Sequence, residues 1–484
     1  MSKITVETCY GSLKGTVQNG VRIWKGIPYA KPPVGEWRFK APQEVDPWEG
    51  VRDATEFGPI CPQPEGLLFQ SLEKVEKSED CLYLNVFAPN SPGGNRPVMV
   101  WIHGGAFYLG AGSEPLYDGS HLASHGDVIV VTINYRLGPF GFLHLSSVNE
   151  SYSDNLGLLD QIAALKWVKE NISFFGGNPE NVTVFGESAG AMSIASLMAM
   201  PGAKGLFQKA IMQSGASETI PKERANLAAD AFLNILNIDP DHSERLHDVT
   251  AKELLDATDE LRDVMEENIF QLLFMPVVDG KTLPLEPVSA VAQGAADGIK
   301  LLIGTNRDEG VLFFTPESEI LPGQKKVEIL REHVGDELAK SVAEWYPESL
   351  EGQINMMTDI FFWRPAVLFA AGQSAHSPVW MYRFDWHSDH PPFHKAAHGL
   401  DIPFVFGNID FLEMITNTKA SEETKQLSQH MQATWLSFAH TGSPCTEAAN
   451  WPNYNEETRK TLIFNTSISI EEDPDAEKRK KLMA

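Results

Sequence analysis

Cysteine is scarce in this chain, with four in 484 residues: Cys9, Cys61, Cys81 and Cys445. None of them forms a C-x-x-C pair, and none is grouped with histidines at the spacing of zinc ligands. This pattern argues against a structural zinc site, and we expect no bound metal. Cys61 and Cys81 stand on either side of one loop, which would allow a disulfide, although free thiols are the expectation in the cytoplasm.

Long hydrophobic runs and basic charge are also lacking. No run of 18 or more apolar residues occurs, and the segment from Met1 to Glu7 has no apolar core of a signal peptide. The 65 acidic residues exceed the 39 basic ones, which gives a net charge of −26. Such a chain repels nucleic acid and anionic membranes. We therefore expect a cytoplasmic protein that binds neither nucleic acid nor membrane.

The hydrophobic residues, 43% of the chain, form several continuous apolar runs with helical patterns between them. Runs of this kind are typical of parallel strands that are buried on both faces. They occur at 97–103, 128–134, 182–185, 209–213, 301–305 and 378–384. Between the second and third runs, apolar residues recur at helical spacing from Leu158 to Ile172. This alternation predicts an α/β fold with a central, mostly parallel sheet and helices on both faces.

Two helix-rich segments interrupt the alternation, at about 221–298 and about 325–373. Both are too closely embedded between strand runs to suggest independent domains. We interpret them as cap insertions over one sheet, so that residues 1–484 form a single domain. A further segment, 65–78, is largely polar and is predicted to be a mobile loop.

The most informative motif is Gly186-Glu187-Ser188-Ala189-Gly190. It follows the apolar run 182–185 and leads into small and helix-forming residues, the pattern of a strand, a tight turn and a helix. In a nucleophile elbow, such a turn exposes a serine and aims the next backbone N–H at a developing oxyanion. Glycine at the two flanking positions avoids crowding of the neighbouring backbone. The alternative is an ordinary loop that contains serine, and only the rest of the chain can distinguish the two.

A second motif, His103-Gly104-Gly105-Ala106-Phe107, follows the first strong apolar run. Glycine at this point leaves backbone N–H groups unobstructed, and this loop supplies oxyanion donors in serine hydrolases of the α/β type. We assign the donors to Gly105 and Ala106, together with Ala189 behind the elbow. A simple glycine-rich turn would be the better interpretation if Ser188 were absent.

A serine nucleophile also needs an acid and a base, which follow it in that order in this class of fold. Asp308 and Glu309 come directly after the run 301–305, and spacing does not choose between them. His398 precedes an apolar stretch that would pack near the sheet, as a general base of fixed orientation requires. Three other histidines lie in polar, proline-bearing sequence and are expected at the surface: His387, His390 and His394.

Taken together, these motifs resemble the type-B carboxylesterase and cholinesterase family over essentially the whole chain. Beyond the elbow and the Gly-Gly loop, the resemblance rests on the segments 26–33, 78–85, 134–136 and 174–179. It implies the α/β-hydrolase fold, with Ser188 as nucleophile, Glu309 as acid and His398 as base. It further implies that Glu187 and Ser214 belong to a supporting polar network behind the triad.

The resemblance also implies the activity. The expected reaction is hydrolysis of carboxylic esters through an acyl-enzyme, without metal or organic cofactor, by a monomer that acts on small-molecule esters. Short-chain esters and aryl or benzyl esters, such as p-nitrophenyl and p-nitrobenzyl esters, are the expected substrates. Cholinesterases carry a tryptophan in the loop between the two cysteines, and residues 62–80 contain none. Without this cation–π site, choline esters are poor candidates.

Two other classes must be considered. A lipase, thioesterase or amidase would use the same triad, although no obvious amphipathic apolar lid argues for a lipase. A non-catalytic adhesion protein of this fold is the second class. Such members typically lack the serine or the histidine, whereas Ser188 and His398 are both present in this chain.

Overall fold

The computed structural model describes residues 2–64, 75–267 and 270–483. The loop predicted at 65–78 therefore lies outside the described residues except for 75–78. The chain forms two compact units. The first comprises Met1–Ala210, Thr219–Glu267 and Leu272–Pro287, and the second comprises Ile211–Glu218, Asn268–Gln271 and Val288–Ala484.

Strands and helices follow one another along the described residues. In chain order, the strands are β1 (Ser2–Glu7), β2 (Ser12–Gln18), β3 (Val21–Pro28), β4 (Val51–Asp53), β5 (Tyr83–Pro89), β6 (Arg96–Ile102), β7 (Ile129–Ile133), β8 (Gly177–Glu187), β9 (Lys209–Gln213), β10 (Lys300–Asn306), β11 (Val379–Phe384), β12 (Lys460–Phe464) and β13 (Ser469–Glu472). The α-helices are α1 (Ser120–Gly126), α2 (Gly138–Gly141), α3 (Leu156–Asn171), α4 (Ala189–Ala199), α5 (Lys222–Ile235), α6 (Ala251–Val264), α7 (Pro287–Ala292), α8 (Gly323–Val334), α9 (Asp336–Ala343), α10 (Leu350–Met357), α11 (Arg364–Ser374), α12 (Ile402–Phe406), α13 (Ile409–Thr416), α14 (Glu422–Thr441) and α15 (Ala476–Leu482). A π-helical turn, Thr358–Trp363, joins α10 to α11.

In the first unit, the strands lie in the order β1-β2-β3-β5-β7-β6-β8, and β4 pairs with β2. The pairs from β1 to β7 along this order are antiparallel, whereas β6 is parallel to both β7 and β8. Every residue of β6 and β7 is buried, which agrees with their continuous apolar sequences. The elbow motif therefore follows a strand in the parallel part of the sheet.

In the second unit, β10 and β11 are parallel, β11 and β12 are parallel, and β12 and β13 are antiparallel. Strand β12 lies beyond the last of the six apolar runs, 378–384, and no run in the sequence predicts it. The physical reason is that β12 contributes only four buried residues, too few for a distinctive pattern. The charged segment 477–481 lies in α15.

Helices flank these strands, and both predicted helix-rich segments are helical. The segment 221–298 contains α5, α6 and α7, and the segment 325–373 contains α9, α10 and most of α8 and α11. Helix α6 begins with a capping box in which Thr250 and Glu253 satisfy each other's backbone N–H groups. The prediction of an α/β fold with a mostly parallel central sheet is confirmed. Among the described residues, no helix is long and apolar enough to cross a bilayer.

A buried ion pair ties α3 to the segment after β7. The Arg136 guanidinium donates to both carboxylate oxygens of Asp160, at 2.8 and 2.7 Å, and the Arg136 backbone N–H donates to the same carboxylate at 3.1 Å. Both side chains are almost fully buried. The third donor group of the guanidinium bonds the carbonyl of Lys40 at 2.9 Å. Every nitrogen of the guanidinium and both carboxylate oxygens are thus hydrogen-bonded, the condition under which buried charges are tolerated.

We predict that Asp160→Asn destabilises the fold by about 3–5 kcal/mol, because it leaves the Arg136 charge buried without its counter-ion. Urea-induced unfolding measures the change. The matched control is Asp256→Asn, which breaks the exposed pair between Lys252 and Asp256 (2.6 Å) in the same unit and should leave the midpoint unchanged. A loss for Asp160→Asn no larger than that of the control would contradict the prediction.

Candidate active site

Ser188 occupies a strained turn between β8 and α4. Its backbone adopts φ 56° and ψ −124°, which is rare for a residue other than glycine. A Cβ atom on Gly186 would lie 2.6 Å from the carbonyl oxygen of Ile102, and one on Gly190 would lie 2.0 Å from it. Only glycine fits at both positions. Ser188 is half-buried in a run of otherwise buried residues. The turn has the geometry of a nucleophile elbow.

The glycine loop after β6 packs directly against this elbow. A Cβ on Gly104 would lie 2.9 Å from the carbonyl oxygen of Glu187 and 3.1 Å from the Ser188 Cβ. Gly105 and Ala106 both have positive φ, 108° and 54°. Ala189 is the first residue of α4, so its N–H has no acceptor within the helix. The three predicted oxyanion donors thus belong to the loop and the helix terminus that flank Ser188.

The ionisable groups behind the elbow are buried. Burial lowers the pKa of His103 to about 4, so this imidazole is neutral at pH 7. It stacks on Tyr135 with ring centroids 4.4 Å apart. Burial also raises the pKa of Glu114 to about 8, and the charge of the nearby Glu187 adds to the shift. Glu114 was missed in the sequence, because nothing in its local pattern marks it as part of this environment.

The acid and the histidine lie together in the second unit. The His398 Nδ1 is 2.7 Å from the Glu309 Oε2, and both side chains are buried. The other Glu309 oxygen accepts the backbone N–H of Asn306 at 2.6 Å. A histidine held at Nδ1 by a carboxylate exchanges protons through Nε2, which is the arrangement that a general base needs.

The structure distinguishes between the candidates that spacing left open. Asp308 is less buried than Glu309, and its carboxylate accepts the backbone N–H of Ala396 at 3.3 Å instead of the imidazole. The three histidines expected at the surface, His387, His390 and His394, are exposed. Only His398 of this group is buried, with 6% of its side chain exposed.

Two residues that the sequence interpretation missed hydrogen-bond within the segments that carry Glu309 and His398. Asn306 donates its side-chain amide to the carbonyl of Ala397 at 2.7 Å, next to His398. Asp401 is fully buried and accepts hydrogen bonds from Gln213 at 2.8 Å and Tyr382 at 3.2 Å. Burial, assisted by the charge of Glu309, raises the pKa of Asp401 to about 6. Its position as the single carboxylate in the apolar stretch 399–406 was the available signal.

The remaining predicted groups are placed as follows. Ser214 is buried after β9 with φ 51°, and its N–H donates to the carbonyl of Gly304 at 2.9 Å. Ser188 and Glu187 belong to the first unit, whereas Ser214, Glu309 and His398 belong to the second.

Cys61 and Cys81 are buried and not joined by a disulfide. In the described part of the chain, no group of three metal-ligating side chains occurs.

Comparison with known proteins places this geometry in a family. A family model described as the carboxylesterase family matches residues 2–481. The para-nitrobenzyl esterase of Bacillus subtilis (strain 168) is 63% identical over 483 residues, which cover 100% of this chain and 99% of that protein.

Comparison with solved structures gives the same family. A thermophilic PNB esterase superposes with a TM-score of 0.97 at 62% identity, covering 99% of this chain and 100% of the other. The carboxylesterase EST55 of Geobacillus stearothermophilus superposes with a TM-score of 0.88 at 41% identity, covering 99% of each chain. The predicted α/β-hydrolase fold and the resemblance to carboxylesterases are confirmed. The chain belongs to the carboxylesterase family and is a carboxylic ester hydrolase.

Proposed function

We propose that Ser188, Glu309 and His398 are the catalytic triad of this serine carboxylesterase. The observation that carries the proposal is the 2.7 Å bond from His398 to the buried Glu309, which orients the imidazole for general-base work. The strained elbow at Ser188 supports it, because family chemistry requires an exposed serine at such a turn. The whole-chain similarity to PNB esterases supports it further.

In the proposed reaction, the Ser188 Oγ attacks the carbonyl carbon of the ester while the His398 Nε2 accepts its proton. The tetrahedral oxyanion is bound by the N–H groups of Gly105, Ala106 and Ala189. Collapse of this intermediate breaks the bond to the alcohol, which leaves with the proton from His398. Water then attacks the acyl-enzyme with the same proton transfers and releases the carboxylic acid.

Two further roles belong to the proposal. Glu309 stabilises the imidazolium that forms in each half-reaction and keeps the proton on Nδ1. Glu187 and Ser214 support the site through polar interactions behind it, consistent with their burial. No step in this sequence calls for a metal or an organic cofactor.

We propose that short-chain esters and aryl or benzyl esters, including p-nitrobenzyl and p-nitrophenyl esters, are the substrates. The similar protein from Bacillus subtilis is a para-nitrobenzyl esterase, which supports this choice. The lack of tryptophan in residues 62–80 disfavours choline esters. These features favour a general carboxylesterase over a cholinesterase.

We also propose that residues 1–484 act as one catalytic domain, as a monomer in the cytoplasm. The net charge of −26 supports the monomer, because copies of the chain repel each other. Cys61 and Cys81 form no disulfide, which supports a reducing compartment.

Ser188→Ala should lower turnover of p-nitrophenyl acetate on the order of 10⁶-fold, because it removes the nucleophile. The control is Ser196→Ala in the same helix, whose hydroxyl bonds the carbonyl of Met192 at 3.1 Å and should be dispensable for catalysis. The measurement is the steady-state kcat of each purified, folded variant on p-nitrophenyl acetate. Retention of more than a few per cent of activity by Ser188→Ala would overturn the assignment.

The adjacent carboxylates provide a second test. Glu309→Gln should lower kcat by about 10⁴-fold, since the amide no longer stabilises the imidazolium or selects its tautomer. Asp308→Asn is the matched control and should stay within a few-fold of the parent enzyme, because Asp308 bonds a backbone N–H instead. A larger loss for Asp308→Asn than for Glu309→Gln would refute the choice of acid.

A substrate panel tests the proposed specificity. We expect kcat/KM for p-nitrophenyl acetate and butyrate to exceed that for emulsified p-nitrophenyl palmitate, for a matched thioester and for a p-nitroanilide. Preference for the emulsified long chain would identify a lipase, and preference for the thioester or the anilide would identify another hydrolase.

A further inference from the structure

The C-terminal helix α15 contacts the π-helical turn Thr358–Trp363 and the residue after it. The Lys478 ammonium lies 2.9 Å from the Asp359 carboxylate and 4.2 Å from the centre of the Trp363 ring. One residue further along, the Arg364 Nε donates to the carbonyl oxygen of Leu482 at 2.9 Å. Three contacts of different kinds therefore connect this short helix to the turn, although the two are more than 100 residues apart in sequence.

Asp359 depends on this helix for its counter-ion. Only 10% of its side chain is exposed, and burial raises its pKa, a shift that the charge of Lys478 opposes. Its second oxygen accepts the hydroxyl of Tyr346 at 3.0 Å. Lys478 is itself held by Asp475 at 3.4 Å. Loss of the ammonium would leave a buried carboxylate uncompensated, which is costly enough to move the turn that carries it.

The same turn contacts the base of the proposed triad and the residue that follows the acid. Phe362 packs on the His398 imidazole, with ring centroids 4.6 Å apart, and Phe313 packs on it at 5.0 Å. The Thr358 hydroxyl accepts the N–H of Gly310, the residue after Glu309, at 2.9 Å. π-Helical turns often occur at functional sites, because the extra residue re-aims side chains.

We propose that Lys478 and Asp359 are positioning residues for catalysis: their ion pair holds the π-helical turn so that Phe362 fixes the His398 imidazole against Glu309. The inference rests on the proposed role of His398. An imidazole that tilts within its pocket still permits the substrate to bind but transfers protons poorly. Breaking the pair should therefore lower kcat and leave KM nearly unchanged, since misplacement by about 1 Å can cost up to 10²-fold in rate.

The test compares three variants of the full chain. Lys478→Met keeps an unbranched side chain and removes the charge, and should lower kcat for p-nitrophenyl acetate about ten-fold with KM within two-fold. Lys478→Arg restores the charge and should recover most of the lost kcat. Lys480→Met removes an exposed charge from the same helix and should match the parent enzyme. Circular dichroism and thermal unfolding confirm that each variant is folded.

Phe362→Leu is a further variant, which tests the inference even if Lys478→Met does not fold. Phe362→Leu removes the ring from the imidazole without touching α15 and should lower kcat alone. Combined with Lys478→Met, it should show less than additive loss, because both changes act through one contact. Unchanged kcat in Phe362→Leu, or a purely KM effect in Lys478→Met, would overturn the inference. His398→Gln separates the two proposals. If His398→Gln retains activity, the triad assignment fails. If His398→Gln loses activity while Lys478→Met keeps the kcat of the parent enzyme, only the positioning role of Lys478 and Asp359 is rejected.

Discussion

The close approach of backbone at the carbonyl of Ile102 is the constraint on which the elbow and its serine depend. Ile102 ends β6 opposite Gly186 of β8, and the first turn of α4 passes over the same oxygen. The spacing leaves no room for a Cβ on Gly186 or Gly190. Ser188 is consequently forced into a backbone conformation that costs on the order of 1–3 kcal/mol. The fully buried helix α4 supplies the packing that maintains this strain.

Burial governs the ionisable groups within each unit. Glu309, Asp401, Glu114 and His103 are all nearly or fully buried, where ionisation is costly unless hydrogen bonds compensate it. His103 responds by staying neutral at pH 7, and Asp401 titrates closer to neutrality than an ordinary aspartate. Glu309 receives two donors, the imidazole and the Asn306 N–H, which suits a carboxylate that must orient a base. Protonation of Asp401 below about pH 6 would remove a negative charge from beside this pair.

The C-terminal helix α15 contributes a further buried charge interaction, at a distance from the reacting groups. In the second unit, an ion pair at Asp359 and an aromatic contact at Phe362 lie on one π-helical turn. A residue at the end of the chain can therefore act on the imidazole without touching a substrate. In this proposal, the short charged helix α15 is part of the support for the imidazole.

Much of the site could be predicted from sequence because its signals are local. The apolar runs identified β6, β7, β8, β10 and β11, and the elbow glycines identified a turn whose chemistry is set by neighbouring residues. The choice of Glu309 over Asp308 came from family resemblance, since spacing along the chain does not say which of two adjacent carboxylates turns inward. In the structure, Glu309 turns inward to His398, and Asp308 accepts the backbone N–H of Ala396.

The sequence by itself therefore determined the fold class, through the order of its apolar runs, and marked the elbow and the glycine loop, whose glycines reflect backbone geometry over a few residues. Only the tertiary structure decided the contacts across long separations. Glu309 meets His398 across 89 residues, and Lys478 meets Asp359 across 119. Residues such as Asn306, Asp401 and Phe362 carry no distinctive local pattern, and packing alone brings them to the acid and the imidazole. The physical reason is that spacing along the chain fixes the geometry of residues close in sequence. Contacts between residues far apart in sequence depend on how the side chains of the core pack.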